Sequence, residues 1–437
     1  MDQRLLHTPE GVRDIYGREY AGKLHVESRL KESIRLYGYE DIQTPTFEFF
    51  DIFSREIGTT PSRELYKFFD KEGNTLVLRP DFTPSIARCA AKYFCEERIP
   101  LRFSYQGNTF TNTSNLQGKL KEVTQMGVEL INDPSVEADA EMISLVICAL
   151  RNAGLSCFQV SIGDVEYFKG LCEEACLDEE TELDLRALIS GKNYFAAQEL
   201  MQERGVDACC QEKLLKAADI FSDMYSLSDM KDTAGNPRSR KAVERLEKLC
   251  SLLELYGVRE YVSFDLGMLS KYRYYTGVIF KAYTYGVGEA VVKGGRYDRL
   301  LGQFGKDAPA VGFVMVVDSI LDALSRQGIE LPVPQKPREI RYTQENYAES
   351  LAQAQALRSQ GTPVILTPEE MVPEDKAPEG AAHEGKAPEG VTHEGKTPEE
   401  AASVSQAAGT GAESKEPVAP YPVCRCDSMP VREEGVK

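Results

Sequence analysis

Hydrophobic periodicity divides the chain into stretches of different character. From about Glu19 to Leu36 apolar residues recur at helical spacing, with Leu24, Leu30, Ile34 and Tyr37 marking the stripe, and Gly38 follows as a helix stop. The segment YEDIQTPTFEFFDIF is aromatic and β-branched. It predicts an extended strand interrupted by Pro45, a residue suited to sheet edges or interfaces because it cannot donate to a ladder. Phe68–Pro80 predicts a hairpin turning at Gly73-Asn74, and Pro84 is placed to open a helix. Leu101–Phe110 and Lys119–Leu130 predict two antiparallel strands, and Val136–Asn152 an amphipathic helix.

From about 165 to 250 the pattern is helical, with charged faces and few strand signals. Strands return in EYVSFDLGML, YYTGVIFKAYTYG and EAVVKGG, and AVGFVMVV runs into the helical DSILDAL. The sum is an α+β domain over residues 1–325: an antiparallel sheet flanked by helices, with a helical insertion. A small β-α-β-like unit is expected at 336–367, from REIRY, a helix over about Glu345–Gln360, and TPVILT. Residues 376–403 are an imperfect ten-residue repeat (KAPEGAAHEG, KAPEGVTHEG, KTPEEAAS) rich in Pro, Glu, Gly and Ala. Such a tract buries too little apolar area to offset chain entropy, so 368–437 is expected to be a disordered acidic tail.

Composition narrows the function. No apolar run approaches the length of a bilayer span, and the N-terminus MDQRLLHTPEGVRDIYG lacks the apolar core of a signal peptide. The expectation is a cytoplasmic protein with no membrane partner. The net charge is −18, of which about eight negative charges fall after Leu366. Nucleic-acid binding draws its affinity from neutralising phosphates, so an acidic chain argues against a nucleic-acid partner. The cysteines lack paired zinc-ligand spacing: Cys172 and Cys176 are four apart, Cys209 and Cys210 adjacent. Buried, reduced thiols are expected there. The four histidines are His7, His25, His383 and His393, so no histidine base or ligand exists between 26 and 382. Neither a metal nor a cofactor is expected.

Four clusters carry the candidate chemistry. Arg79-Pro80-Asp81-Phe82-Thr83 follows the hairpin and precedes a helix, so Asp81 and Thr83 suit either a ligand or a helix cap. Gln125, Gly127 and Glu129 share one face of a strand, either around a ligand or toward solvent. Tyr274 and Tyr275 open YYTGVIF, as pocket aromatics or as ordinary strand aromatics. Gly294-Gly295-Arg296-Tyr297-Asp298 precedes Pro309-Ala310-Val311-Gly312-Phe313, either as part of a site or as a tight turn between strands.

Together these clusters resemble the class II aminoacyl-tRNA synthetases, closest to the histidyl enzyme, over about Leu6 to Leu324. The resemblance implies that Asp81 and Thr83 hold the ammonium of histidine, and that Gln125, Glu129, Tyr274 and Tyr275 line its side of the pocket, with Glu129 on the imidazole. It also exposes losses. Gly107–Glu129 has the frame of motif 2, yet Thr111 stands where the family places the arginine that grips the α-phosphate of ATP. Ser270 stands at the catalytic arginine upstream of YYTG, and Ser319 at the motif 3 arginine that stacks on adenine. Serine or threonine cannot supply a planar fixed charge.

An acceptor-rich amino-acid side beside an arginine-poor nucleotide side resembles the regulatory subunits of ATP phosphoribosyltransferase, non-catalytic paralogues of the histidyl enzyme. That resemblance implies a short catalytic phosphoribosyltransferase as partner, histidine as effector, and a homodimer within a larger hetero-oligomer. The alternatives are a divergent histidyl-tRNA synthetase or other amino-acid adenylating ligase, and an interaction protein with a relic pocket.

Overall fold

A computed structural model describes residues 6–54, 60–113, 119–219, 221–222, 231, 234–269, 274–332 and 336–369. The motif 2 loop at 114–118, Ser270 with its three following residues, and the repeat tail lie outside the described residues.

The chain opens with α1 (Gly17–Leu36), closed by Gly38 at φ +76°, a left-handed conformation that favours glycine. Its buried stripe is Val26, Leu30 and Ile34. Leu24, expected on that stripe, is exposed: it lies six residues from Leu30, about 240° round the helix, and so falls off the face.

The following segment is not one strand. It divides into β1 (Glu40–Asp41), which joins the main sheet, and β2 (Phe47–Phe49), which joins a separate three-stranded sheet. Pro45 stands between them, and the carbonyls of Thr44 and Pro45 accept from the Arg79 guanidinium rather than from a ladder. After α2 (Asp51–Ser54) come β3 (Lys67–Phe69) and β4 (Thr75–Leu78), the hairpin that completes this small sheet in the order β2-β4-β3. Helix α3 (Thr83–Tyr93) starts with proline in its first turn, as its sequence predicts.

The central hairpin is β5 (Leu101–Phe110) and β6 (Glu122–Ile131), followed by α4 (Val136–Asn152). Ser135 caps α4 by accepting from the Ala138 amide at 3.1 Å. Next come β7 (Phe158–Asp164) and the helical insertion: α5 (Val165–Glu174), α6 (Glu179–Ser190), α7 (Tyr194–Glu203), α8 (Ala208–Asp219) and α9 (Pro237–Leu255). Asp164, Asp178, Asn193 and Asn236 cap four of these, which explains why a polar stretch breaks into separate helices. A short strand, β8 (Phe221–Ser222), interrupts the insertion, where few strand signals were found. Strands β9 (Val262–Asp265), β10 (Val278–Thr284), β11 (Val292–Arg296) and β12 (Ala310–Val316) then lead into α10 (Val317–Arg326).

The main sheet runs β1-β5-β6-β12-β11-β10-β7-β9-β8 and is antiparallel except for the β1–β5 and β7–β9 pairs. Its core is Val128, Leu130, Val160, Ile162, Phe280 and Phe313 packed on the buried faces of α1, α4 and α9. The C-terminal unit is β13 (Arg338–Tyr342), α11 (Tyr347–Ser359) and β14 (Val364–Pro368), with its two strands paired. The cysteine expectation holds for Cys172 and Cys210, which are buried. It fails for Cys176 and Cys209, which are exposed: each sits on the solvent side of a helix end, and spacing alone does not report that.

Candidate functional site

Asp81, Thr83, Gln125, Glu129, Tyr274 and Tyr275 line one cavity of about 210 Å³, together with Thr111, Lys293, Tyr297 and Gly312. Its floor is the face of the sheet on which alternate residues of β6, β12 and β11 project. Glu129 pairs with Gly312, and Gly312 with Gly295; two residues along, Gly127 pairs with Val314, and Val314 with Lys293. The glycines are there for approach. A Cβ on Gly312 would overlap Glu129 Oε2, one on Gly127 would overlap the Tyr105 hydroxyl, and one on Gly295 would meet Tyr275 Cε1 at 2.6 Å. The GGR run therefore forms strand β11 and not a tight turn, because its glycines let Tyr275 lie against the sheet.

Glu129 is 1% exposed, so its side of the strand does not face solvent. Thr83 Oγ1 donates to Glu129 Oε1 at 2.7 Å and the Tyr297 hydroxyl donates to Oε2. Burial pushes the carboxyl up to about 8; the bonds from Tyr297 and Thr83 oppose that shift and the nearby charge of Asp81 adds to it. Among the described residues no cation pairs with it, so the acid is satisfied only by neutral donors.

Asp81 does part of what a helix start requires: its Oδ1 accepts from the Thr83 amide at 3.2 Å. The cap and ligand readings therefore share this residue. Thr83 turns its hydroxyl inward to Glu129. Tyr274 and Tyr275 precede β10 rather than lie in it, which removes the reading of them as ordinary strand aromatics. Their ring centroids are 4.6 Å apart, and Tyr274 meets Tyr297 edge-on at 5.8 Å. Gln125 Oε1 is buried with no hydrogen-bond partner among the described residues.

Two neighbours that sequence reasoning missed complete the site. Tyr297 lay inside GGRYD, and Lys293 just before it. The signal was available: Lys293-x-Gly295-x-Tyr297 repeats the alternation of Gln125-x-Gly127-x-Glu129, polar, glycine, polar. The other members of these motifs are structural. Arg79 stacks on Phe82, 4.0 Å from the ring centroid, and donates to the Asn108 carbonyl. Arg296 pairs with Asp139 at 2.6 Å, and Asp298 accepts from the Ala310 amide.

Of the three positions that lack the family's arginine, Thr111 lines the cavity, Ser319 lies in α10 outside its lining, and Ser270 is outside the described residues. Beside Ser319, Asp318 binds Lys23 at 2.7 Å and the Thr124 amide at 2.6 Å, tying α1 to β6.

A larger groove of about 890 Å³ opens on the other face of the sheet, at Thr124 and Glu122. Its charges are largely matched internally, Lys23 with Asp318 and Lys31 with Asp41, and its Gln106 bonds Glu27, which gives it less call for a charged ligand than the smaller cavity. No group of three or more metal-ligating side chains occurs among the described residues, and no described helix is long and apolar enough to cross a membrane.

Comparison with known proteins follows the same lines. Residues 11–320 match the histidyl-tRNA synthetase family. An ATP phosphoribosyltransferase regulatory subunit from Acetivibrio thermocellus is 41% identical over 364 residues, covering 83% of this chain and 87% of its own. One from Clostridium kluyveri is 36% identical over 363 residues, covering 83% and 93%. A crystal structure described as an ATP phosphoribosyltransferase regulatory subunit/histidyl-tRNA synthetase from Bacillus halodurans matches with a TM-score of 0.77 at 32% identity, over 85% of this chain and 95% of that one. Histidyl-tRNA synthetase from a Nostoc species shares the fold, with a TM-score of 0.70 at 19% identity over 83% and 85%. The chain therefore belongs to the ATP phosphoribosyltransferase regulatory subunits, the branch of the histidyl-tRNA synthetase family that its motifs resemble.

Proposed function

We propose that this chain is a non-catalytic subunit that binds and activates a short ATP phosphoribosyltransferase, and that histidine bound in the Glu129 cavity inhibits the complex. One observation carries the ligand: a fully buried carboxyl group that, among the described residues, meets only neutral donors, beside Asp81 and three tyrosines. Such an acid gains most from an incoming cation. The imidazolium of histidine supplies one, and its ammonium suits Asp81. A cavity of about 210 Å³ is smaller than the ~300–1,000 Å³ that holds drug-sized ligands, which favours one amino acid over a nucleotide.

Thr111 at the cavity wall supports the lack of adenylation, since a neutral hydroxyl cannot replace the charge that phosphoryl chemistry uses. The names of the relatives support the partner. Feedback then requires that histidine favour one quaternary state of the assembly, a homodimer of this chain within a hetero-oligomer.

The test adds the purified chain to a short phosphoribosyltransferase. The expected outcome is a rise in transferase activity that histidine reverses, with histidine binding measured calorimetrically. Histidine-dependent exchange of pyrophosphate into ATP by the chain alone would support the ligase reading and defeat this one.

A further inference from the structure

We infer that Lys293 is the carboxylate-binding residue of this cavity and that it makes the site select a zwitterionic amino acid over the corresponding amine. The inference rests on the histidine reading above and assigns a role that the family motifs leave empty, since Ser270 and Thr111 carry no charge.

The cavity is lined by two carboxylates, Asp81 and Glu129, and among its described lining residues by a single cation, Lys293. An amino acid brought into such a site places its own carboxylate beside both acids, Asp81 and Glu129. Without a cation that arrangement is repulsive, and the site would take up an amine more readily. Lys293 sits where it relieves this. It is next to Val314, which is next to Gly127, so its side chain rises from the same sheet face as Glu129 and Gln125. Its row is two residues along from the row of Glu129, Gly312 and Gly295, about 7 Å at the rise of a strand. That offset matches a ligand whose ring lies at Glu129 and whose carboxylate lies at the other end.

Glu289 feels the charge of Lys293, but its Oε1 is bonded to Lys119 at 2.5 Å. Among the described residues no carboxylate lies within ion-pair distance of the Lys293 ammonium. The buried Gln125 Oε1, which has no hydrogen-bond partner among the described residues, is an acceptor for the ligand ammonium between the two ends. The three charges of bound histidine then each meet an opposite or accepting group: imidazolium at Glu129, ammonium at Asp81 and Gln125, carboxylate at Lys293.

The experiment titrates histidine and histamine, which lacks the carboxylate, against the full chain and its Lys293→Met and Lys293→Arg variants. A charge-assisted hydrogen bond of this kind corresponds to about a 10- to 100-fold change in affinity. The expected result is a loss of that size for histidine in K293M, recovery of most of it in K293R, and unchanged histamine affinity and unfolding midpoint. Equal histidine affinity in K293M, or a parallel loss for histamine, overturns the inference and leaves the histidine reading standing. Failure of wild-type protein to bind histidine overturns both, so the two failures are told apart.

Discussion

Two buried carboxylates lie on neighbouring elements of this protein and have opposite surroundings. Asp139 on α4 is fully buried and meets two guanidiniums, Arg296 at 2.6 Å and Arg245 Nε at 2.8 Å. Burial pushes its carboxyl up, and the two arginines oppose that shift. Glu129 on β6 is buried as deeply, yet its donors are the hydroxyls of Thr83 and Tyr297. The first acid has its counter-charge built in and joins α4, α9 and β11 into one frame. The second, among the described residues, has no counter-charge. Within one motif the division is by single residues: Arg296 belongs to the frame, and Tyr297 to the cavity. A buried acid becomes a site where the fold withholds the cation.

The comparison can be broken first at the frame. Replacing Asp139 with Ala takes from the buried Arg296 guanidinium its nearest counter-charge and leaves it Asp298 at 3.3 Å, and losing one partner of a buried pair costs about 3–5 kcal/mol. Urea denaturation of D139A should show a loss of that size, whereas Glu129→Gln should show no loss at pH 7, because the amide stands in for the protonated acid without titrating in the unfolded chain. Equal losses in the two variants would erase the distinction.

Next in size is the floor of the cavity. Gly312→Ala puts a methyl group onto Glu129 Oε2 and the Val128 carbonyl, so histidine binding should vanish from calorimetry, with a stability loss of about 1–3 kcal/mol from overpacking. Retention of binding in G312A would place the ligand elsewhere.

A pH series sharpens the comparison with smaller effects. The Glu129 carboxyl is raised in the fold, so its contribution to stability is fully present below its ordinary 4.5 and is lost as pH rises through about 8. Wild type should therefore lose stability relative to E129Q across that window. Histidine affinity should be greatest between about 6.5, the ordinary imidazole value, and about 8. Below that window binding must expel a proton, and above it binding must take one up. A flat profile from pH 5 to 9 would contradict the pairing. Smallest of all, Thr83→Val removes one neutral hydrogen bond to Glu129 and should weaken histidine by about 1 kcal/mol, read by the same calorimetry.

Much of this arrangement is legible in the sequence, for identifiable reasons. Strands β5 and β6 and helix α4 announce themselves because each is long and strongly patterned, and alternation alone places Gln125, Gly127 and Glu129 on one face. Other features depend on contacts distant in sequence. The break at Pro45 depends on Arg79, 34 residues on, which takes the local carbonyls. The exposure of Leu24 follows from helix angle, which a count of apolar residues misses. Tyr297 and Lys293 escaped notice because EAVVKGG was expected as a strand without its register; only the pairing against β12 and β10 shows which of its residues share the face of Glu129. The raised carboxyl of Glu129 could not be read at all, since the shift arises from burial and from the neighbouring Asp81.

The central claim, that Glu129 is held for an external imidazolium, is tested most directly by nitrogen NMR of ring-labelled histidine bound to the chain at pH 7.5. Both ring nitrogens should carry protons in the complex although the free ligand is largely neutral at that pH, and the signal should revert to the neutral form or disappear with Glu129→Gln. A neutral ring in the wild-type complex, or an imidazolium that persists in the variant, would contradict the account.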